Sequence, residues 1–445
     1  MVKRLLTIAL GLAVAVAFTV PAMAEVKSIK VGGDAVIRMI MRDNLDFLAD
    51  SGDESEAWIM SQIRLYVGAE LSDNVSAMVR LINERDWGKS YLQTMAGAGG
   101  VVGLPADSSD DIKLDLAYLK IGDLFVPGLS ATLGRQEILL GKGFVVGNAN
   151  GTLPAVTANT AIRASDLTAR KSFDAWRLDY QVGTVPLTLT LFDAKVIEES
   201  ANDALAFLGL GMLWSGNDVD LLGLNAAYKL DNATIEGYAL NLNANLPGDN
   251  VDIWTIGARV DHNLLAVPGL NYNIELAWQT GDLPGGLDQN AFGGMVDISY
   301  TAQNQWLPKI GAAWTYYSGD DDATDDENQT WIPLFPDNQA DRIGAITYAA
   351  TLGLGGANLT NISVPKLYAA FSPAERHTIS LAWYPQTLMN EVPSGADDEL
   401  GYEVDLGYSC KITDDVSFGL LAAYADSEAA DEEAMQVIGT VAVSF

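Results

Sequence analysis

The chain has 445 residues, 26 Lys plus Arg against 58 Asp plus Glu, and a formal charge of −32. A surface so acidic argues against nucleic acid as a partner, because phosphates must be neutralised by Lys and Arg. One cysteine, Cys410, excludes an internal disulfide framework, the two histidines His262 and His377 leave little for a His-rich metal site, and no CxxCH is present for a covalent haem.

The amino terminus, residues 1–24, reads as a secretory signal peptide. Lys3 and Arg4 precede an apolar run from Leu5 to Val20, and "AMA" offers a cleavage site after Ala24. Removing those two bases takes the formal charge from −32 to −34 for the mature chain, 25–445. No later run of about 18 apolar residues exists, so no spanning helix is expected.

Beyond the leader the dominant period is two. In "LNYNIELAWQTGD", Leu270, Tyr272, Ile274, Leu276 and Trp278 share one face, and Asn271, Asn273, Glu275 and Gln279 the other. Strands are predicted near 30–42, 58–71, 75–86, 112–121, 129–140, 173–182, 187–197, 219–230, 233–243, 251–262, 270–280, 291–301, 309–318, 362–371, 377–386, 400–412, 415–426 and 434–445. Their connections alternate between long ones, such as 87–111, 141–172 and 319–361, and short ones, such as 72–74, 231–232 and 413–414. Short periplasmic turns, long outer loops and an even strand number define an outer-membrane barrel. The fold expected is therefore all-β: a transmembrane antiparallel barrel of about 18 strands with both termini periplasmic. A further candidate strand, 342–353, would break the alternation and is assigned to a long outer loop.

The closing strand ends "MQVIGTVAVSF", with Val437, Val441, Val443 and Phe445 towards lipid. Its pairing with the first strand would remove the sheet edge, as a membrane requires. The terminal Phe445 resembles the assembly signal of bacterial outer-membrane proteins, which implies the barrel-assembly machinery as a partner. Trp176, Tyr180, Trp254, Trp278, Tyr300, Trp314, Tyr316, Trp383, Tyr402, Tyr408 and Tyr424 lie on the apolar faces, many near strand ends where interfacial girdles form.

Charge is segregated. Acid runs fall in the outer loops, at 43–56, 319–328, 395–399 and 427–433, facing outer-membrane lipid and lipopolysaccharide. Asp320, Asp322 and Asp326 have spaced oxygens for Ca²⁺ but lack the glycine and terminal Glu of an EF-hand loop. Bases lie on lumen faces: Arg38, Arg64, Arg80, Lys113, Arg177 and Arg259, interleaved with Asp34, Asp115, Asp179, Glu275, Glu403 and Asp405. Mixed charge around a constriction sets ionic selectivity. The loop 141–172 carries Lys142, Arg163, Arg170 and Lys171 against Asp166 alone, a basic bias suited to lining a pore.

Several segments go beyond periodicity: "VRLINERDWG" (79–88), "IKLDLAYLKIGDL" (112–124), "LGRQEILLGKGFVVGN" (133–148), "SFDAWRLDY" (172–180), "AWQTGD" (277–282), "YYSGD" (316–320) and "PLFPDN" (333–338). Together, from about Asp34 to Phe445, they resemble the alginate-export family of outer-membrane barrels. The resemblance implies an eighteen-stranded barrel with lumen arginines forming a path for a polyanionic saccharide, and by position it carries Arg64, Arg80 and Arg135 as pore-lining. Simple alternation places Arg135 on the lipid side; a bulge at Gly134 would turn Arg135 and Glu137 inwards and Ile138 and Leu140 outwards, and that bulge is assumed.

Lumen bases are concentrated in the first six strands, and the loop mouths are acidic. The function expected is passive passage of small hydrophilic solutes or ions. The alternatives are export of an anionic saccharide such as alginate, and a scaffold for a redox or surface partner. His262 and His377 lie near the periplasmic end in no Ser/His/Asp constellation, so no catalytic residue and no cofactor is expected.

Overall fold

The structure, a computed structural model, describes residues 26–44, 55–87, 112–147, 172–197, 205–206, 213–214, 218–246, 249–322, 324–336, 360–391, 398–428 and 431–445. The leader, residues 148–171 of the basic loop and the 342–353 segment lie outside the described residues.

Eighteen long strands run in chain order: β1 (Ser28–Asp43), β2 (Ser55–Glu70), β3 (Val75–Asp86), β4 (Lys113–Ile121), β5 (Leu129–Gln136), β6 (Phe173–Gln181), β7 (Leu187–Ile197), β8 (Val219–Lys229), β9 (Ala233–Leu246), β10 (Asp249–Asn263), β11 (Leu270–Leu283), β12 (Leu287–Thr301), β13 (Lys309–Tyr317), β14 (Ile362–Phe371), β15 (His377–Met389), β16 (Glu399–Lys411), β17 (Val416–Ser427) and β18 (Glu432–Ser444). Each pairs antiparallel with its neighbours in sequence, and β18 pairs with β1 from Asp34↔Ser444 to Asp43↔Met435, so the sheet closes. Two-residue ladders add little: Glu327–Asn328 runs parallel to β12, and Leu205–Ala206 pairs with Leu213–Trp214.

The predicted strands are all present, with changed ends. Strand β5 stops at Gln136 and not near 140, because the chain then turns inside the barrel. Strands β11 and β12 are longer than predicted and meet across residues 284–286, where Gly285 and Gly286 take positive φ. One end of the barrel carries short turns, the start of β1 and Phe445 (the turn end); the other carries the long connections (the loop end). The loop end is not uniformly long: β9–β10, β11–β12 and β17–β18 are also joined closely there.

Alternation decides what faces where. Ile63, Leu65 and Val67 on β2, Trp254 and Ile256 on β10, Leu276 and Trp278 on β11, and Trp383 on β15 are exposed on the outer face. The intervening residues point inwards, and the cross-strand register carries this assignment from strand to strand, with local shifts between β3 and β4, at the start of β8, between β14 and β15, and between β15 and β16. An exposed belt of Leu, Val, Ile and Trp is a surface suited to hydrocarbon, with the polar groups of the backbone satisfied between strands.

The seam ends on Phe445. Its N–H donates to the Gly33 carbonyl at 3.0 Å, and the Gly33 N–H donates to its carbonyl at 2.9 Å, while the side chain stays two-thirds exposed on the outer face. Deleting Phe445 removes both bonds from the closure. The expected outcome is a lower yield of heat-modifiable folded barrel on unheated gels, with unchanged conductance for molecules that do insert. Parent-level yield would show that closure does not need the terminal residue.

Candidate functional site: a divided lumen

The barrel interior is divided into an apolar part and a charged part. Among the described residues, the apolar part is built by two segments between strands that turn inwards, residues 137–147 and 327–336. Ile138, Leu140, Phe144, Val145 and Val146 from the first and Trp331, Ile332, Leu334 and Phe335 from the second are all buried. They pack on the inward faces of β7 to β11, through Phe192, Leu221, Leu240, Leu242, Ile253 and Ala277, and on Ile362, Val364, Tyr384 and Met389 of β14 and β15. This is a hydrophobic core inside a barrel whose outer surface is also apolar.

Aromatic rings hold the two segments together. Phe144 stacks on Tyr317 with centroids 5.3 Å apart and planes 6° off parallel, and both rings lie 5.9 Å from Trp331. Phe173 meets Phe335 edge-on at 5.2 Å. The segments also join as backbone: Val146 bridges Phe335 in parallel, Phe335 N–H donates to Val145 O at 3.0 Å, and Gly147 N–H donates to Phe335 O at 2.7 Å. Gly293 leaves the space that Trp331 fills, since a Cβ there would lie 3.0 Å from the indole.

A buried backbone segment away from its sheet needs partners for its N–H and C=O groups. Inward glutamines supply them. Gln279 accepts from Ile332 N–H at 2.9 Å and donates to Ile332 O at 2.7 Å, the double bond of a strand pair reproduced by one side chain. Gln289 donates to Thr330 O and accepts from Asn328, and Thr360 donates to Trp331 O. The sequence singled out QTGD only as part of a family pattern; its glutamine proves to be the docking group for the second segment.

The charged part lines β1 to β6. Arg64 donates to Asp34 directly across the β1–β2 ladder at 2.8 Å. Arg80 binds Asp115 and, at 2.5 Å, Glu137. Arg177 binds Asp179 at 3.0 Å on the same strand, and Asp179 accepts from Thr190. Arg38 points inwards beside them, and Lys113 faces inwards opposite Ile82. A second cluster lies on β9 to β11. Arg259 there binds Glu236, Asp261 at 2.6 Å and Asn273 at 2.8 Å, with Glu275 3.9 Å away and Tyr238 donating to Glu275 at 2.9 Å. Glu403 and Asp405 face inwards on β16 and are buried. Lys366 on β14, not singled out from sequence, lies 5.0 Å from the Tyr384 ring centre and 5.7 Å from that of Tyr368.

Arg135 is the residue the sequence misplaced. No bulge occurs at Gly134: the ladders run Ala117↔Arg135, Tyr118↔Gly134 and Gly134↔Ala175 without a shift. Ala117 lies opposite outward Val79, so Arg135 faces outwards, where it binds Asp174 at 2.9 Å. The irregularity sits one strand earlier, between Arg80 and Leu81 against β4, and it gives Asp115 its inward place. Gly134 does take φ +113°, where a Cβ would strike the Ala117 carbonyl at 2.3 Å, but the strain is absorbed without changing the register. Ile138 and Leu140, expected outside, are inside the barrel because β5 has already ended.

The acids considered for Ca²⁺ do not converge. Among the described residues no group of three or more His, Cys, Asp or Glu side chains is placed to hold a metal. The Thr324 hydroxyl and N–H engage Asp322, holding its carboxyl below the usual range, while burial pushes that of Asp320 up.

A closed eighteen-strand barrel with an apolar belt, a charged inner wall and segments folded into the lumen has the architecture of an outer-membrane porin. Solved structures agree on the fold. Pseudomonas aeruginosa OccK9 (OpdG) matches with a TM-score of 0.61 over 94% of this chain and 99% of that one, at 13% identity. OccK2 (OpdF) of the same organism matches at 0.60, 94% and 99%, with 11% identity, and it has also been solved in complex with glucuronate. No curated protein matches the sequence. The alginate-export family matches residues 27–393, and the chain belongs to that family.

Replacing Gln279 by Leu keeps the volume but orphans the Ile332 N–H and C=O, at about 1–3 kcal/mol for each buried group. The expected result is release of residues 328–336 from the wall, read as faster acrylamide quenching of Trp331 and a larger, noisier single-channel conductance. Parent values for both would mean that the segment is held by its aromatic contacts and its other hydrogen bonds without Gln279.

Proposed function

We propose that this protein is a passive outer-membrane channel for small hydrophilic solutes, with its leader removed after Ala24 and both termini in the periplasm. The observation that carries the reading is the divided lumen. The apolar fill lies against β7 to β11, and across the interior from it the wall of β1 to β6 is charged, with an acid within hydrogen-bond reach of each of Arg64, Arg80 and Arg177. Such pairs present alternating charge at the wall. They attract polar solutes of either sign weakly, which favours entry and release over tight binding. The acidic loops would face lipopolysaccharide, and the barrel-assembly machinery would read the carboxyl-terminal strand.

A second reading is passage of anionic saccharides, from single sugar acids to a polyuronate. Family membership supports it, as does the complex of OccK2, a protein of this fold, with glucuronate. The arginines gathered on β1 to β6 would supply the basic contacts. The acids bound to them make a continuous track for a long polyanion less favourable than transit of a short solute. A sheath around a redox partner has less support, because the interior on the β7–β11 side is already filled by the chain's own residues.

Purified protein in planar bilayers separates these readings. The parent should conduct, and the double variant Arg64→Glu, Arg80→Glu should shift the reversal potential in a salt gradient towards cations. The shift should grow at low salt, because the Debye length lengthens from about 3 Å at 1 M to about 10 Å at 0.1 M. Arg135→Glu, on the outer face, should leave selectivity at the parent value. A folded double variant with parent selectivity would mean that β1 to β6 do not line the conducting path.

A further inference from the structure

Within the first inward segment, the tip is built differently from the rest. Residues 144–147 are clamped by Phe144 on Tyr317 and Trp331 and by the bridge to Phe335. Residues 140–143 form a turn of their own: Gly143 N–H donates to Leu140 O at 2.9 Å, and Leu140 N–H donates to Val146 O at 3.0 Å. Gly141 and Gly143 both take positive φ, +56° and +79°. A Cβ on Gly141 would come within 2.9 Å of Arg259 Cδ and 3.2 Å of Glu275 Oε2, so the turn lies directly on the charged cluster of β9 to β11. From this tip Lys142 reaches Asp261 at 3.2 Å.

We infer that Lys142 is a positioning residue of the pore: its ammonium, seated on Asp261, fixes where the tip of residues 140–143 lies and so the width of the passage beside it. The inference rests on the channel reading given above. Arg259 alone cannot satisfy the acids gathered there. It binds Glu236, Asp261 and Asn273, while Glu275 Oε2 has no hydrogen-bond partner and stands 3.9 Å from Arg259 Nε. Lys142 brings a second positive charge to a cluster of three carboxylates, and it is the loop's contribution to a site otherwise made by strands. Without that charge the tip would place a neutral turn on an acidic patch, held by two glycines that permit it to swing. The Lys142 side chain is about half exposed and Asp261 about one-quarter, so the pair is reached by water and by salt. An accessible pair is weak, which suits a contact that sets a position without locking it.

The test uses the full mature protein in planar bilayers, read as single-channel conductance and as the frequency of transitions between conductance levels. Lys142→Glu should raise that frequency about fivefold, the population change corresponding to loss of one solvent-accessible pair. Lys142→Arg, which keeps a positive charge within reach of Asp261 and leaves Arg259 its own pairing, should keep the parent pattern. Salt provides an arm that needs no mutation: the parent should grow noisier between 0.1 M and 1 M KCl, while Lys142→Met, noisier than the parent at 0.1 M, should not respond further. If Lys142→Glu behaves like the parent, or if Lys142→Arg behaves like Lys142→Glu, the inference is overturned. A parent that does not conduct overturns the channel reading itself.

Discussion

Hydrocarbon offers no partner for a backbone N–H or C=O, so a sheet that crosses it can leave no edge. Here that requirement is met where β18 returns to β1, with Phe445 and Gly33 exchanging the last pair of bonds. Closure does more than satisfy the backbone. It fixes the register of every strand and therefore which residue of each neighbouring pair looks outwards. Arg64 and Leu65 could exchange faces only if β2 slipped by one residue against both β1 and β3, which would set Leu65 and Val67 inside and bring Arg64 to lipid.

A barrel of this size cannot be filled by wall side chains alone. The sequence answers with two segments that fold in from the loop end. Their residues are as apolar as a soluble core, and they meet a wall made apolar to match, with Leu221, Leu240, Leu242 and Ile253 pointing inwards where a water-filled lumen would favour polar groups. The opposite wall, β1 to β6, retains its arginines and acids. Where charge does meet the plug, at Arg259, Glu236, Asp261 and Glu275 of β9 to β11, it is held in a network of ion pairs and hydrogen bonds, because a lone charge there would be desolvated without recompense. Polar contacts between plug and wall are specific: Gln279, Gln289 and Thr360 on backbone groups, Glu137 on Arg80, and Lys142 on Asp261.

Much of this was legible in the sequence, for definite reasons. Period-two alternation marks the strands, and the apolar faces of "DIWTIGARVDH" and "LNYNIELAWQTGD" point as expected because nothing competes with lipid for them. The plug was not legible from alternation, since "EILLGKGFVVG" and "WIPLFP" are not strands. Their signal was composition: bulky apolar runs inside connections otherwise rich in Gly and polar residues have no reason to face water, and Trp331 and Phe144 could have been placed inside on that ground. Arg135 failed for a different reason. Its side depends on whether one residue is inserted in a ladder, a local event that periodicity cannot detect, and the irregularity fell on β4 instead of β5. Ion-pair partners such as Glu137 for Arg80 depend on where the chain goes after a strand ends, which only the three-dimensional path supplies.

The proposed channel requires that water reach the wall along the seam and the strands that follow it, and that the plug exclude water from the wall of β7 to β11 that it covers. Thiol accessibility tests this most directly. In a Cys410→Ser background, Thr440→Cys places a thiol on the inward face of β18 opposite Arg38, at a half-buried position, and Ala277→Cys places one on the inward face of β11 beneath the plug. A charged, membrane-impermeant thiol reagent should modify the first within its ordinary solution time and lower the conductance, and should leave the second unmodified. Equal rates at the two positions would contradict the account, for they would mean that water fills both sides of the barrel alike.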